Sequence, residues 1–422
     1  MVQSSLPTAV AALLERPVAI FGAGVSGAGV QTLLASVGAE GSIYDERADG
    51  PTRAFSSRDA ARHGLVVYSP GFPPEHRWLM TALDAGCVCL GELDFASLFW
   101  KGEIIAITGT NGKTTLTEFL AHALNSIGTR AHATGNVGYP FSRLVVEHPD
   151  DVVAVCEVSS FQAETLMHLR PTATLWTNFA EDHLERHPDL NAYFAAKWRL
   201  VERTPSGGVL AGPSVQRFCR LSRRTLRSTA LVETENLPAD PELAGTVFAT
   251  YPQRENFVLA AAWWERRELP LPALYAAARS FRAGPHRLAR VAEKDGVTYW
   301  NDSKATNFHA VEAALATFDA PVLWIGGGKA KGGDLAGFIR RIAHHLRHAY
   351  LIGETKPLLA AFCQSNGVPA TTCATLAEAV AAARSAARKG DQVLLSPGFA
   401  SFDMFRGYDD RGKQFETLVE NL

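Results

Sequence analysis

The chain has 422 residues, of which 47% are hydrophobic and 20% are charged, and its formal net charge is −2. This length predicts roughly two to four domains, and the composition is that of a globular protein with several apolar cores. The near-neutral charge argues against nucleic-acid binding, and no apolar run approaches the ~18 residues of a membrane span. The N-terminus lacks the basic start and apolar core of a signal peptide, and the six cysteines have no metal-ligand spacing. The composition therefore predicts a cytoplasmic protein with reduced thiols and with neither a nucleic-acid nor a membrane partner.

The first segment carries a glycine-rich turn between a strand and a helix. Residues 18–21 are predicted to form the strand, the run 22–27 holds three glycines, and the helix continues to about residue 37. A second strand ends at Asp45, about twenty residues beyond the glycines, and a third covers 66–69. This pattern is typical of a dinucleotide-binding turn, so a nicotinamide-dependent dehydrogenase is one hypothesis. A nucleotide-sugar diphosphate would use the same helix N-terminus.

The most specific motif lies between residues 104 and 118. A buried strand is predicted over 104–107, a turn over 109–112, and a helix that begins at Lys113 and Thr114 and ends at Gly128. In this arrangement the loop amides bind phosphate oxygens, Lys113 neutralises the β- and γ-phosphates, and the Thr114 hydroxyl holds Mg²⁺. The sequence therefore predicts an ATP site. A P-loop ATPase that acts as a binding switch is a second hypothesis from this motif.

Several polar residues follow strands that are predicted beside the P-loop strand. Glu157 follows a strand predicted at 152–155, and His183 follows a strand predicted at 173–176. A second loop rich in glycine and asparagine covers 133–138, and Lys197 lies on a helix predicted over 191–202. A carboxylate at the end of a strand next to a P-loop strand is suited to bind Mg²⁺.

Beyond residue 284 predicted strands and helices alternate. The strands cover 297–300, 322–325, 349–352 and 392–395, and the helices cover 309–318, 335–347, 375–388 and 410–421. This alternation predicts a doubly wound parallel sheet that binds ligands at the carboxyl ends of its strands. The polar residues that fall just after these strands are Asp302, Lys304, Thr306, Lys331 and Ser401.

These motifs together resemble the Mur ligases, a family within the Mur ligase and folylpolyglutamate synthetase superfamily. The motifs that carry the resemblance are Thr-Gly-Thr-Asn-Gly-Lys-Thr-Thr at 108–115, Gly135-Asn136, Glu157-Val-Ser-Ser-Phe-Gln162, Asn178-Phe-Ala-Glu-Asp-His183 and Ala-Ala-Lys197. Pro285-His286-Arg287 and the runs 301–307, 327–334 and 396–403 resemble the D-glutamate-adding, MurD-type branch. The resemblance covers about residues 18–420. It departs from the family at Glu255-Asn256-Phe-Val-Leu259, which keeps only the first asparagine of the adenine motif, and at 398–399, where Gly-Phe replaces Ala-Cys.

The resemblance implies a three-domain α/β architecture. A Rossmann-like UDP-sugar-binding domain would cover 1–91, a central P-loop ATP-binding domain 92–283, and a Rossmann-like amino-acid-binding domain 284–422. The implied activity is an ATP- and Mg²⁺-dependent ligase that adds D-glutamate to UDP-N-acetylmuramoyl-L-alanine through an acyl phosphate, in peptidoglycan precursor synthesis. A paralogue that adds L-glutamate or another amino acid is the alternative within the family. We expect the chain to act as a monomer.

The resemblance also assigns site residues. The implied catalytic residues are Lys113, Glu157, His183 and Lys197, the last as a carbamate. The implied metal ligands are Thr114, Glu157, His183 and Lys197. The implied ATP-binding residues are Gly109, Thr110, Asn111, Gly112, Lys113, Thr114, Thr115, Asn256, His286, Arg287 and Asp302. The implied UDP-sugar-binding residues are Val25, Ser26, Glu46, Arg47, Ser69, Asn136, Ser159, Gln162 and His183. The implied glutamate-binding residues are Lys304, Thr306, Lys331, Ser401 and Tyr408.

Overall fold

The computed structural model describes residues 8–47, 52–148, 152–224, 229–233 and 237–422. These residues form three sheets with helices between the strands, and they divide into two compact units. The first unit holds the described parts of Met1–Phe179, Asp189–Thr246 and Glu255–Phe281, and the second holds Ala180–Pro188, Val247–Arg254 and Arg282–Leu422. No helix in the described ranges has both the length and the apolar character that a membrane crossing requires.

The first sheet is parallel and has four strands in the order β2-β1-β3-β4. The strands are β1 (Val18–Phe21), β2 (Gly41–Tyr44), β3 (Leu65–Tyr68) and β4 (Val88–Gly91). The helices of this segment are α1 (Thr8–Leu13), α2 (Val25–Ser36), α3 (Ser57–Ala60), α4 (Arg77–Asp84) and α5 (Glu92–Ser97). β1 and β3 are buried along their whole length, which explains their continuous apolar sequences.

The second sheet is also parallel and has six described strands in the order β10-β9-β8-β5-β7-β6. The strands are β5 (Ile104–Thr108), β6 (Ala131–Gly135), β7 (Val153–Glu157), β8 (Ala173–Trp176), β9 (Val209–Ala211) and β10 (Thr229–Leu231). The helices are α6 (Lys113–Ser126), α7 (Phe141–Glu147), α8 (Ser160–Ala163), α9 (Leu190–Arg203), α10 (Pro213–Leu221), α11 (Gln253–Arg266) and α12 (Leu271–Ser280), with a 3₁₀ turn at Pro241–Leu243. β5 lies between β8 and β7, so its carboxyl end is flanked by the ends of both neighbours.

The third sheet has six strands in the order β11-β12-β16-β13-β14-β15. The strands are β11 (Ala289–Lys294), β12 (Val297–Asn301), β13 (Val322–Gly326), β14 (Leu346–Leu351), β15 (Ala370–Thr372) and β16 (Gln392–Leu395). The helices are α13 (Phe308–Leu315), α14 (Leu335–Ile342), α15 (Lys356–Ser365), α16 (Leu376–Ala386) and α17 (Tyr408–Glu420), with a 3₁₀ turn at Ala343–His345. The α/β class is therefore confirmed, with parallel strands throughout the first two sheets.

Three local predictions from the sequence were wrong. The third sheet is mixed rather than parallel, because Asp295 and Gly296, both with positive φ, turn β11 back along β12 as an antiparallel hairpin. The helix predicted over 335–347 ends at Ile342, because the chain passes through the 3₁₀ turn and then pairs with β13 as strand β14 from Leu346. The loop predicted from residue 133 begins only after Gly135, where β6 ends.

The first two sheets share one apolar core. Phe141 and Leu144 of α7 belong to the same buried cluster as Val30 and Leu33 of α2. Both sheets lie within the first unit, so the predicted domain boundary at residue 91 falls inside it. The three-domain division stays a prediction.

Candidate active site

The P-loop joins β5 to α6 and depends on two glycines. Gly109 has a φ of 147° and Gly112 a φ of 81°, backbone conformations that residues with side chains rarely adopt. A Cβ at Gly109 would lie 1.9 Å from Thr177 Oγ1, and one at Gly112 would lie 2.6 Å from Asn256 Nδ2. The loop backbone therefore approaches its neighbours too closely for any larger residue.

Two residues that follow β8, Thr177 and Asn178, form hydrogen bonds with the backbone of the P-loop. The Asn178 carbonyl oxygen accepts from Thr110 N at 3.0 Å, and Asn178 Oδ1 accepts from Asn111 N at 2.9 Å. Thr177 Oγ1 donates to the Asn111 carbonyl oxygen at 2.6 Å. These bonds fix the loop conformation that phosphate binding needs.

Asn256 also supports the P-loop backbone. It is the one asparagine of the run 255–259 that matches the adenine motif which this sequence resembles, and it is only 4% exposed. Its Nδ2 donates to the Gly112 carbonyl oxygen at 3.4 Å. The structure thus places Asn256 against the phosphate loop, a contact that the motif alone did not indicate.

Lys113 lies over the loop that it follows. Its Nζ donates to the Thr110 carbonyl oxygen at 2.8 Å, and the side chain is part-buried. Thr114 and Thr115, also in the first turn of α6, are buried. A cation, a hydroxyl and a helix N-terminus are thereby gathered at one end of β5, which suits a polyphosphate.

Glu157 ends β7 beside the P-loop strand. It pairs in register with Ile107 of β5 and is 2% exposed. Asn136 Nδ2 donates to Glu157 Oε1 at 2.8 Å, and Asn136 N donates to the Glu157 carbonyl oxygen at 3.0 Å. Two residues that the sequence assigned to different ligands are therefore direct neighbours.

Lys197 reaches the same loop from α9. Its Nζ donates to the Gly109 carbonyl oxygen at 2.8 Å and lies 3.5 Å from Thr108 Oγ1. The ammonium also lies 4.8 Å from the centre of the Tyr193 ring, and the residue is 1% exposed. Lys197 thus contacts the P-loop backbone directly, and its assigned role as a metal ligand stays a prediction.

The side chains beside the P-loop are suited to bind Mg²⁺ together with the phosphates of ATP. No cluster of three or more His, Cys, Asp or Glu side chains that could hold a metal occurs in the described ranges. Thr114 and Glu157 offer a hydroxyl and a carboxylate, and Mg²⁺ commonly binds one or two such groups together with phosphates and water. His183, the other predicted ligand with an unmodified side chain, lies in the second unit.

The glycine turn of the first sheet is closely packed. A Cβ at Gly27 would lie 1.9 Å from the Gly22 carbonyl oxygen, and one at Gly22 would lie 2.7 Å from Ser69 Oγ. The Asp45 carboxylate accepts from Ala23 N at 2.7 Å, so the acidic residue of the fingerprint braces the turn itself. Ser69 Oγ is buried and, within the described ranges, has no hydrogen-bond partner, which suits a role in ligand binding.

Other predicted sugar-site residues lie around this turn or in α8. Val25 and Ser26 form the first turn of α2, and Val25 is 61% exposed. Arg47 is exposed beside Glu46 after β2. Ser159 and Gln162 bond to one another as the capping box of α8.

Glu46 has a partner that the sequence did not reveal. Arg77 donates to Glu46 Oε1 through Nη2 at 2.5 Å and Nε at 3.2 Å. This hydrogen bond lowers the pKa of Glu46. Arg77 begins α4 and belongs to no motif, so only the fold could show that it lies beside a predicted sugar-binding residue.

The second unit contains a cleft that gathers three predicted site residues. His183, Thr306 and Lys331 all line it, and its remaining wall comes from residues 181–182, 184, 307–308, 332–333 and 398–399. The cleft joins the segment after β8 to the loops that precede α13 and α14. Thr306 and Lys331, predicted to bind glutamate, are therefore brought together.

His183 lies between two carboxylates. Its Nδ1 is 3.2 Å from Glu185 Oε1, and its Nε2 is 3.6 Å from Asp182 Oδ2. Burial works to raise the pKa of Glu185, but the bond to His183 and the charge of Lys331 lower it overall. Glu185 is thus an anion within the electrostatic reach of Lys331.

The other predicted glutamate residues do not line this cleft. Lys304 Nζ lies 3.5 Å from Tyr408 Oη and 5.0 Å from the centre of that ring. Ser401 is 2% exposed. The buried guanidinium of Arg411 donates to the Ser303 and Phe399 carbonyl oxygens at 2.8 and 3.2 Å, and so links the loops that carry Lys304 and Ser401.

The predicted ATP residues of the second unit surround the end of β12. His286 is buried, and its Nδ1 lies 3.2 Å from Glu416 Oε1. Asp302 Oδ2 accepts from Ser396 Oγ at 2.8 Å and Oδ1 from Leu288 N at 3.0 Å. Burial raises the pKa of Asp302 to about 7 against these bonds and the nearby Arg287 charge.

Two family models match the chain. The Mur ligase middle domain matches residues 107–221, and the Mur ligase, glutamate ligase domain matches residues 286–399. The first model spans the P-loop, Glu157 and Lys197, and the second spans Asp302, Thr306 and Lys331.

Relatives are similar over nearly their whole length. A UDP-N-acetylmuramoylalanine–D-glutamate ligase of Thermobifida fusca is 36% identical, with 97% of this chain and 99% of the relative covered. The enzyme of the same name from Aquifex aeolicus is 34% identical, with 95% and 98% covered.

Solved structures support the fold. UDP-N-acetylmuramate-alanine ligase MurC of Thermotoga maritima gives a TM-score of 0.61 at 15% identity, covering 96% of this chain and 100% of that one. MurF ligase of Thermotoga maritima, solved in complex with ADP, gives 0.57 at 15% identity, covering 87% and 97%.

Proposed function

The chain belongs to the Mur ligase family, and we propose that it is the ATP-dependent ligase that joins D-glutamate to UDP-N-acetylmuramoyl-L-alanine. The observation that carries the proposal is the arrangement of Lys113, Glu157 and Lys197 around one glycine-rich loop. The choice of D-glutamate rests on the names of the relatives. We further propose that the enzyme acts in peptidoglycan precursor synthesis in the cytoplasm, where ATP and nucleotide sugars are available. We also propose that it acts as a monomer.

The P-loop side chains address the electrostatic problem of the first step. The acceptor carboxylate must attack the γ-phosphate of ATP, and two unit charges ~4 Å apart repel by ~4 kcal/mol at an effective dielectric of ~20. Lys113 supplies a compensating charge on the loop. Mg²⁺, bound by Thr114 and Glu157, would supply further positive charge at the phosphates.

The cleft of the second unit suits the second substrate. Lys331 and Thr306 offer a cation and a hydroxyl donor to glutamate carboxylates. The amino group then attacks the carbonyl carbon of the acyl phosphate. The new C–N bond forms as the C–O bond to phosphate breaks, the amine loses a proton, and inorganic phosphate leaves with the electron pair.

A phosphate-release assay across an amino-acid panel tests the proposal. We expect release only when ATP, UDP-N-acetylmuramoyl-L-alanine and D-glutamate are all present, with amide product formed in equal amount. Turnover with L-glutamate or another amino acid would instead identify the alternative within the family. ATP hydrolysis without either co-substrate would favour the binding switch, and nicotinamide-dependent turnover would favour the dehydrogenase.

A further inference from the structure

The side chain of Asn307 connects two walls of the cleft. Its Nδ2 donates to Asp182 Oδ2 at 2.8 Å, while its Oδ1 accepts from Ala310 N at 2.9 Å and so caps α13. Asn307 is 8% exposed and the Asp182 side chain 7%. The hydrogen bond therefore lies inside the wall, where water competes little for either partner.

The other carboxylate oxygen of Asp182 accepts a hydrogen bond from the next residue in the chain. Oδ1 accepts from His183 N at 2.9 Å. His183 has a φ of 57°, a left-handed conformation that costs a residue with a side chain about 1 kcal/mol or more and persists only when its surroundings hold it. The Asp182 carboxylate is thus a local restraint on the backbone of His183.

Asn307 is equally well fixed on its own side. It follows Thr306 directly, and the next residue, Phe308, stacks on Phe338 with ring centres 4.3 Å apart and planes 12° apart. Its cap bond also anchors it to the first turn of α13. A displacement of Asn307 would therefore require Thr306 and the start of the helix to move as well.

We propose that Asp182 and Asn307 form a positioning pair, which sets where His183 stands relative to Thr306 across the amino-acid cleft. The inference rests on the proposed function and deepens it. Neither side chain needs to touch the substrate, because each acts through the residue next to it. Loss of the bond should mainly impair use of the amino acid, since a shift of about 1 Å in a reacting geometry can cost about a hundredfold in rate.

An exchange of the two side chains tests the pair. Asn307→Asp keeps an oxygen for the helix cap but sets a second carboxylate against Asp182. Combining it with Asp182→Asn restores the bond with donor and acceptor reversed, and the bonds to His183 N and Ala310 N survive. Thr375→Asp is the matched control, because it replaces the cap of α16, which does not line the cleft.

The readout is steady-state kinetics for each substrate together with the melting temperature. We expect Asn307→Asp to lower kcat/KM for the amino acid by about tenfold or more, with a much smaller change in the KM for ATP. The exchange should recover most of this loss, and Thr375→Asp should match the parent. An Asn307→Asp variant with parent kinetics, or an exchange no better than Asn307→Asp alone, would overturn the proposal.

The Asn307→Ser variant and the activity of the parent distinguish a failure of the positioning pair from misfolding or from a wrong proposed function. If Asn307→Asp does not fold, Asn307→Ser retains a cap hydroxyl but is too short to reach Asp182, and parent kinetics in that variant would overturn the pair. The kinetics are read with whichever amino acid the parent ligates. A parent that ligates none contradicts the proposed function, whereas an active parent with unaffected variants contradicts only the positioning pair.

Discussion

Lys197 Nζ donates a 2.8 Å hydrogen bond to the carbonyl oxygen of Gly109, the first glycine of the P-loop. Lys113 Nζ makes a bond of the same length to the next carbonyl oxygen, that of Thr110. Two lysines from different helices therefore meet successive carbonyl groups of one loop. The Lys113 ammonium by itself gives this loop a positive charge, which favours an anionic ligand such as ATP over an uncharged one, whatever the chemical state of Lys197.

Removal of the Lys113 charge should strongly reduce ligation and spare UDP-sugar binding. We expect Lys113→Ala to lose about a hundredfold or more in kcat, because a group that stabilises developing charge is typically worth about 3 kcal/mol. Lys101→Ala, which removes an exposed lysine before β5, is the control. Phosphate release measures ligation, and titration calorimetry with the UDP-sugar measures binding. Ligation within about tenfold of the parent would contradict the assignment.

Lys331 should govern affinity for the amino acid. We expect Lys331→Met to raise the KM for glutamate by about tenfold to a hundredfold, because a hydrogen bond to a charged group contributes about 1.5–3 kcal/mol. The KM for the UDP-sugar should stay near that of the parent. Lys329→Met changes an exposed lysine two residues earlier and serves as the control. Equal KM values in the two variants would count against the cleft as the glutamate site.

Asp302 should make the stability of the protein depend on pH. Its pKa in the folded state is about 7, above the ordinary value of 3.8, so the folded protein binds this proton more tightly than the unfolded chain does. The group therefore contributes most stability below about pH 4 and loses it as the pH rises to about 7.

Asp302→Asn removes this titration and keeps the shape of the side chain. The melting temperature of the variant minus that of the parent should therefore increase between about pH 5 and pH 8. Asp319→Asn, at an exposed aspartate, should show a difference that hardly changes with pH. A constant or decreasing difference for Asp302→Asn would refute the prediction.

The sequence predicted those parts of the structure that local chemistry determines. The predicted bounds of β1, β8 and β16 are those observed, and the P-loop glycines have the positive φ values that their motif requires. The grouping of Thr306 with Lys331 could also be predicted, because both follow strands of one sheet.

Contacts that depend on tertiary packing could not be predicted. Arg77 reaches Glu46 only because α4 begins beside the end of β2, and no motif marks it. Asn256 was assigned through an adenine motif, yet the fold sets its amide against Gly112. Likewise, β14 starts at Leu346 because β13 offers it a partner, although the local pattern continues as a helix to residue 347.

The chemical state of the Lys197 side chain, ammonium or carbamate, can be argued from its surroundings. As an unmodified ammonium it donates to Gly109 and lies over the Tyr193 ring. A second cation at the phosphates would repel that ammonium, and Mg²⁺ prefers oxygen ligands. Carbamylation by carbon dioxide would exchange the positive charge for two carboxylate oxygens, and we predict that the active enzyme carries this modification.

The carbamate prediction can be tested by removing the lysine or the carbon dioxide. Lys197→Ala should lose most ligase activity and recover part of it when a short carboxylic acid is added, because the free carboxylate can occupy the vacated oxygen positions. The parent should lose activity in buffer depleted of carbon dioxide at mildly acidic pH, where carbamates decay, and regain it when bicarbonate is restored. Intact-mass analysis at mildly alkaline pH should show the added mass of one carbon dioxide in the parent and not in Lys197→Ala. Full activity of the parent without carbon dioxide, together with an unmodified mass, would establish Lys197 as a simple ammonium that braces the P-loop through Gly109.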